Sequence, residues 1–125
     1  MAKSDKRSTS ATRLPVQVNR ALKAADAKKA VDLLVLDLRK AAGFTDFFVI
    51  CSGTSTRQVR AIADAILDAL SSDATKPAHV EGYDRSEWVL LDYFDFIVHV
   101  FSRETRLFYG LERLWGSAER VEIPG

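Results

Sequence analysis

The sequence has few of the residues that form covalent or metal cross-links. It contains 1 cysteine, Cys51, and 2 histidines in 125 residues, so an intrachain disulfide is excluded. A lone thiol is typical of a reducing compartment. His79, His99 and Cys51 lack the spacing of metal ligands, which argues against a zinc site. We therefore expect a domain that folds without a metal or a cofactor.

Long apolar runs are also missing. No run approaches the roughly 18 residues that a membrane-spanning helix needs, and the N-terminus lacks the apolar segment of a signal peptide. We therefore expect a cytoplasmic protein without membrane contact. With 47% hydrophobic and 28% charged residues, the chain is long enough to bury the core of one domain.

The net charge of +1 hides an asymmetry along the chain. Residues 1–20 carry 5 basic and 1 acidic side chains, whereas residues 21–125 carry 13 basic and 16 acidic ones. Residues 1–15, rich in Ser, Thr, Lys and Arg, are predicted to form a disordered basic tail, either a solvated leader or a weak RNA-contacting arm. The folded domain is expected at 16–117, followed by a C-terminal tail at 118–125.

Hydrophobic periodicity predicts an α/β fold. Helices are predicted at residues 16–30, 55–71 and 103–115, the last with Gly116 as its C-cap. Strands are predicted at residues 32–38, 46–51, 79–81, 87–92 and 95–101, the last two forming a hairpin. This order indicates a mixed sheet of about five strands flanked by helices.

The junction Gly53-Thr54-Ser55 precedes the second predicted helix. Ser55 and Gln58 match a capping box. A glycine before a helix could also hold phosphate, but the Walker lysine and the GxGxxG pattern are missing, so capping is the favoured interpretation. Arg57 and Arg60 are predicted on the outward face of this helix, where they are either solvated or make a secondary contact with RNA or an acidic partner.

No catalytic constellation emerges from the residues. His99 alternates with apolar neighbours and is expected to be a hydrogen-bonded core histidine. Cys51 ends an apolar strand and is expected to be buried and unreactive. Asp92 and Asp95 lie three apart across a turn, not as the Asp-x-Asp pair that shares a metal in nucleotidyltransferases. Turn formation explains these two aspartates better. We therefore expect that the protein is not an enzyme.

Aromatic residues cluster around the predicted hairpin: Trp88, Tyr93 and Phe94. Because side chains alternate along a strand, Trp88, Leu90 and Asp92 share one face. Val89, Leu91 and Tyr93 share the other, and the Leu91 face is expected to be core. A sheet face that carries a carboxylate is expected to be at least partly exposed to solvent. We therefore predict that Trp88 belongs to a protein interface rather than to the core.

Four stretches in sequence order resemble the ribosomal silencing factor family, also called Iojap-like proteins. They are TDFFVICSGTSTRQVRAIAD (45–64), VEGYDRSEWVLLDY (80–93), VHVF (98–101) and ETRLFYGLERLW (104–115). The resemblance implies a fold similar in outline to nucleotidyltransferases, without their catalytic residues. It also implies binding to the large ribosomal subunit through ribosomal protein fourteen, which blocks joining of the small subunit and represses translation during starvation.

The same resemblance implies roles for individual residues. Trp88 would contact the ribosomal protein, and Asp92, Tyr93 and Phe94 would continue that edge. The apolar stripe of the last helix would mainly pack against the domain. Many members of the family have glycine where this chain has Phe94, so either the turn type differs here or the turn belongs to a modified contact surface.

Two other classes of function stay open. A nucleotidyltransferase-like enzyme would need a metal-binding carboxylate pair, and a large-subunit assembly factor would contact ribosomal RNA through the basic tail, Arg57 and Arg60. The acidic balance of residues 21–125 favours docking on a basic ribosomal protein, so direct RNA contact is expected to be weak or absent. An exposed sheet edge would also permit a homodimer.

Overall fold

The computed structural model describes residues 14–123. Residues 1–13, which make up most of the predicted basic tail, lie outside this range. The helices are α1 (Val16–Ala27), α2 (Thr56–Ser71), α3 (Arg103–Tyr109) and the short α4 (Leu111–Leu114). The strands are β1 (Val31–Asp37), β2 (Phe47–Gly53), β3 (His79–Glu81), β4 (Trp88–Asp92), β5 (Phe96–Ser102) and β6 (Glu119–Val121).

The strands form one mixed sheet in the order β3-β4-β5-β2-β1-β6. The central pair, β2 and β5, is parallel, with Val49 opposite Val98, and every other pair is antiparallel. β2 is buried along its whole length, as expected for a continuous apolar run covered on both faces. β4 alternates between buried and half-buried residues, so one of its faces is only partly covered.

Helices α1 and α2 cover one face of the sheet. Their apolar stripes meet side chains of β1, β2, β4 and β5, and together these residues form the larger of two hydrophobic clusters. The stripe on α2 includes Ile62, Ile66 and Leu70, which are fully buried. The periodicity of residues 55–71 therefore predicted this helix and its buried side correctly.

The start of α2 contains half of the predicted capping box. Ser55 Oγ accepts the Gln58 N–H at 3.1 Å, as a capping serine does. The Gln58 side-chain oxygen, however, accepts the N–H of Thr54 at 2.6 Å instead of that of Ser55. Its amide nitrogen donates to the carbonyl oxygens of Lys28 and Lys29 at 3.1 and 3.0 Å, so Gln58 also ties α2 to the end of α1.

The opposite side of the sheet carries Phe48, His99 and Trp88, and we call it the Trp88 face. A smaller hydrophobic cluster covers its β1–β2 side, where Trp115 and the chain after β1 pack against the sheet. At the β4 end, Trp88, Leu90 and Asp92 are half-buried. Val89 and Leu91 point to the other face and are fully buried. The predicted division of β4 into a core face and a partly wet face is confirmed.

Two parts of the sequence-based fold need correction. The single helix predicted at 103–115 is interrupted at Gly110, whose left-handed φ of 56° ends α3 before α4 begins. Gly116 is therefore not the cap of one long helix. The sheet has six strands instead of about five, because β6 lies in the segment expected to be a tail and pairs with β1, Val121 opposite Val35.

None of the described helices combines the length and the apolar character needed to cross a bilayer.

A candidate docking surface around Trp88

A row of aromatic rings crosses the Trp88 face. We define this aromatic row by Phe44, Phe48, Trp115, His99, Phe101, Trp88, Tyr109 and Phe108. Neighbouring ring centroids lie 4.5 to 6.1 Å apart, the range of favourable aromatic contacts. Its middle is buried or half-buried against the sheet, whereas Phe44 at one end and Phe108 and Tyr109 at the other are exposed. The row therefore joins two exposed aromatic ends through a rigid, packed centre.

Trp88 lies near the centre of the aromatic row and is held by a hydrogen bond. Its indole N–H donates to His99 Nδ1 at 3.1 Å, and its ring packs on Phe101 and Tyr109 at centroid distances of 4.8 and 4.9 Å. The acceptor must be an unprotonated Nδ1, so His99 carries its proton on Nε2. Burial lowers the pKa of His99 to about 3, which keeps the ring neutral near pH 7. His99 is thus the hydrogen-bonded core histidine that the sequence predicted.

Helix α3 is oriented with Arg106 inward and its apolar side chains outward. Arg106 donates to the backbone oxygen of Asp32 at 2.8 Å, to Ser52 Oγ at 3.0 Å and to Glu112 at 3.1 Å. Its side chain is only 11% exposed. Because these bonds fix one side of α3 to the sheet, the opposite side, with Phe108, must face solvent.

The apolar stripe predicted to pack is therefore largely exposed. Leu107, Phe108 and Leu114 are 78%, 79% and 75% exposed, and of the stripe only Leu111 is buried. No residue of α3 is buried. The prediction that this stripe mainly packs against the domain is wrong, because Arg106 and the break at Gly110 turn it away from the core. Exposed apolar side chains grouped in this way are typical of a surface that binds another molecule.

The loop before β4 sets the position of Trp88. Gly82 has a φ of 76°, and a Cβ there would overlap the carbonyl oxygen of Trp88. Arg60 donates to Ser86 Oγ at 3.1 Å and to the carbonyl oxygen of Asp84 at 2.6 Å, and its guanidinium lies over the Tyr83 ring. Arg60 is thus engaged in shaping this loop. Arg57 is exposed at the start of α2.

The β4–β5 hairpin lies at the opposite end of β4 from this loop and presents Phe94 to solvent. Its ring is 76% exposed, and its φ is 78°, a left-handed value that residues with a Cβ rarely adopt. Asp92 Oδ1 accepts the Phe94 N–H at 2.8 Å, and Thr45 Oγ1 donates to the Phe94 carbonyl oxygen at 3.0 Å. The hairpin therefore keeps a turn conformation that suits glycine, although Phe94 occupies this position. Asp92 stabilises the turn through its side chain, as predicted.

Tyr93 lies on the other side of the sheet. It is 7% exposed and stacks on Phe96 at 5.0 Å, and its hydroxyl has no hydrogen-bond partner among the described residues. Burial raises its pKa to about 12. Tyr93 therefore belongs to the core under α1 and α2, not to the surface around Trp88. The step from Asp92 to Tyr93 reverses the face, as it does at every residue of a strand.

The remaining candidate residues do not form a reactive centre. Cys51 is fully buried, as predicted, and burial raises the pKa of its thiol to about 12, which disfavours the reactive thiolate. His79 is exposed at the edge strand and pairs with Glu81. Within residues 14–123, no group of three or more His, Cys, Asp or Glu side chains could hold a metal.

A comparison with models of known protein families identifies the family of this chain. A sequence model described as "Ribosomal silencing factor during starvation" matches residues 11–125. The chain belongs to the ribosomal silencing factor family.

Individual relatives agree with this family. The chain is 40% identical to "Ribosomal silencing factor RsfS" of Halalkalibacterium halodurans over 105 residues, which covers 84% of this chain and 90% of that protein. It is 41% identical to the Bacillus subtilis protein of the same name over 100 residues, which covers 80% of this chain and 85% of that protein. A crystal structure of a Chromobacterium violaceum protein is 29% identical with a TM-score of 0.80, covering 91% and 92% of the two chains. The resemblance seen in the four sequence stretches is thus confirmed.

Proposed function

We propose that this protein binds the large ribosomal subunit through ribosomal protein fourteen and prevents the small subunit from joining. The observation that carries the proposal is the aromatic row, with Trp88 fixed near its centre and Phe108 and Leu107 exposed beside it. A preorganised tryptophan next to exposed apolar side chains has the composition of an interface hot spot. The protein would act in the cytoplasm, where it meets ribosomes.

The mechanism is steric. A patch of about 800 Å² on each partner is enough for a specific complex. The rigid centre of the aromatic row loses little side-chain freedom on binding, which favours affinity. No bond is made or broken, so the proposal requires only that the bound domain occupies the surface on which the small subunit docks.

The excess of acidic side chains in residues 21–125 supports a basic protein partner. On the docking side, Asp92 is half-buried on the Trp88 face and would meet the rim of that partner. Phe44 would extend the contact to the far end of the aromatic row, and Phe94 would extend it beyond that end. Arg57 is the remaining candidate for a secondary contact, since Arg60 is already bonded to the loop before Trp88.

Cosedimentation with purified large subunits tests the proposal. Replacing Phe108 by Ala should weaken binding by about 1 kcal/mol or more without disturbing the core, and replacing Trp88 by Ala should cost about 2 kcal/mol or more. Val16→Ala is a matched control, because Val16 is also well exposed but lies on α1, behind the opposite face of the sheet. Equal binding by the native protein, Phe108→Ala and Trp88→Ala would refute the docking surface.

A subunit-joining assay separates silencing from a role in assembly. The native protein should reduce the formation of joined ribosomes from purified subunits, and Phe108→Ala should restore it. Direct binding to isolated ribosomal protein fourteen should show the same order of affinities. Binding to the large subunit without any effect on joining would instead indicate an assembly factor.

A further inference from the structure

A second feature of the structure lies on the other side of α3 from the aromatic row. It is a cavity of about 690 Å³ between α3, α4, β1 and β6. Four arginines contribute to its lining: Arg103, Arg106, Arg113 and Arg120. The opposing charges in the lining are Asp32 and Glu112, so the cavity has a net charge of +2. Since residues 21–125 as a whole carry a net charge of −3, this concentration of positive charge is local.

The four arginines differ in what they already bind. Arg106 is bonded to Asp32, Ser52 and Glu112 and forms part of the fixed wall. Within residues 14–123, the other three, which are exposed, form no ion pair. Guanidinium groups without a carboxylate partner are suited to bind phosphate oxygens in pairs.

The cavity also has an apolar portion and a constrained wall. Leu33, Leu34 and Leu107 contribute apolar surface to the lining. Asp32 has a φ of 53° at an irregularity in the pairing of β1 with β2. Left-handed residues at a bulge cost free energy and are concentrated at binding sites. The volume lies in the range of small-molecule sites and exceeds what a single inorganic phosphate would fill.

We propose that this cavity binds a phosphate ester of nucleotide size. Arg103, Arg113 and Arg120 would hold its phosphate groups, and the leucines would contact its organic part. The cavity meets the docking surface only at Leu107, because Trp88 and Phe108 are not part of the cavity lining. Variants of the arginines therefore test this proposal separately from ribosome docking. Its phosphate chemistry could be supplied by a free nucleotide or by the backbone of an RNA, and the experiment distinguishes these two sources.

Isothermal titration calorimetry of the full chain with ATP, without magnesium, tests the proposal. The double variant Arg113→Ala and Arg120→Ala should weaken ATP binding about tenfold or more, as expected when two charge-assisted contacts are lost. The double variant Arg57→Ala and Arg85→Ala removes the same charge from exposed positions elsewhere and should change the affinity less than about twofold. An equal loss in both variants, or no binding of ATP to the native chain, would overturn the proposal.

Two further titrations use the same variants. Adenosine should bind at least about tenfold more weakly than ATP, because it has no phosphate for the arginines. A short single-stranded RNA should compete poorly with ATP. If the native chain binds this RNA but does not bind ATP, the assignment to a nucleotide is overturned. If the double variant does not fold, Arg103→Ala at the start of α3 provides the same comparison.

Discussion

Replacing Phe94 by glycine separates the stability of the hairpin from its use as a contact. Phe94 has a φ of 78° and a ring that is 76% exposed. The left-handed conformation is unfavourable for any residue with a Cβ, whereas glycine adopts it freely. We therefore expect Phe94→Gly to retain the stability of the domain even though it removes an entire aromatic side chain.

The magnitude follows from three contributions to the free energy of unfolding. Relief of the left-handed φ is worth about 1–2 kcal/mol, and the greater freedom of glycine in the unfolded chain costs about 0.5–1 kcal/mol. Complete burial of a Phe side chain is worth about 1.5–3 kcal/mol, so loss of a ring that is mostly exposed costs about 0.5 kcal/mol. The sum for Phe94→Gly is close to zero.

Phe94→Ala is the matched control, because it removes the same ring but keeps the Cβ. Since Ala gains no relief of φ, we expect Phe94→Gly to be about 0.5–1 kcal/mol more stable than Phe94→Ala. For a domain of this size the difference corresponds to a melting temperature about 2–4 °C higher. Urea unfolding of the three proteins, with equal slopes, measures it directly.

Binding should follow the ring and not the backbone. If Phe94 belongs to the docking surface, both variants should bind large subunits more weakly by about 1 kcal/mol, and to the same extent. A Phe94→Gly protein less stable than Phe94→Ala would refute the interpretation of the turn. Unchanged binding in both variants would remove Phe94 from the proposed contact surface.

Three further predictions concern two residues that position Trp88 and the N-cap of α2. The pKa of His99 is about 3 in the folded protein, whereas that of a free histidine is about 6.5. Between these two pH values, only the unfolded chain binds a proton at His99. His99 should therefore lower the free energy of unfolding by up to about 1.4 kcal/mol for each pH unit below 6.5, and His99→Phe should remove this slope in urea titrations. Gly82→Ala should cost about 2 kcal/mol or more and also weaken large-subunit binding, since its Cβ would displace the Trp88 carbonyl. Ser55→Ala should cost about 1 kcal/mol in thermal unfolding, the value of a helix N-cap, and leave binding unchanged.

Each of these predictions has a contradicting result. An acid slope that persists in His99→Phe would assign the proton uptake to other groups. A Gly82→Ala protein with native stability would mean that the loop before β4 relaxes at little cost. Weaker ribosome binding by Ser55→Ala would show that the cap itself, beside the candidate contact Arg57, belongs to the contact surface.

The sequence predicted well those elements whose burial follows a regular period. The stripe of α2 and the apolar runs of β2 and β5 each match one periodic pattern, and all five predicted strands are present within two residues. The alternation along β4 also separated Trp88 from Leu91 correctly. These features depend on neighbours in the chain, so local pattern was sufficient.

The prediction failed where partners far apart in sequence decide the outcome. The stripe of 103–115 has the spacing of a buried helix, but Arg106 bonds to Asp32 and Ser52, which lie 74 and 54 residues earlier. β6 is only three residues long, and its pairing with β1 gave no periodic signal. Tyr93 is a different case: local alternation already places it on the face of Leu91, but the family resemblance grouped it with Trp88 at the hairpin.

The sequence by itself determined the family, the α/β class and the choice of Trp88 as the central aromatic residue. It did so because motif order, periodicity and alternation are properties of consecutive residues. Only the tertiary structure decided that His99 holds Trp88, that α3 turns its apolar side outward, and that four arginines meet around one cavity. Those outcomes depend on long-range hydrogen bonds and on the break at Gly110, which fix the orientation of α3 against the sheet.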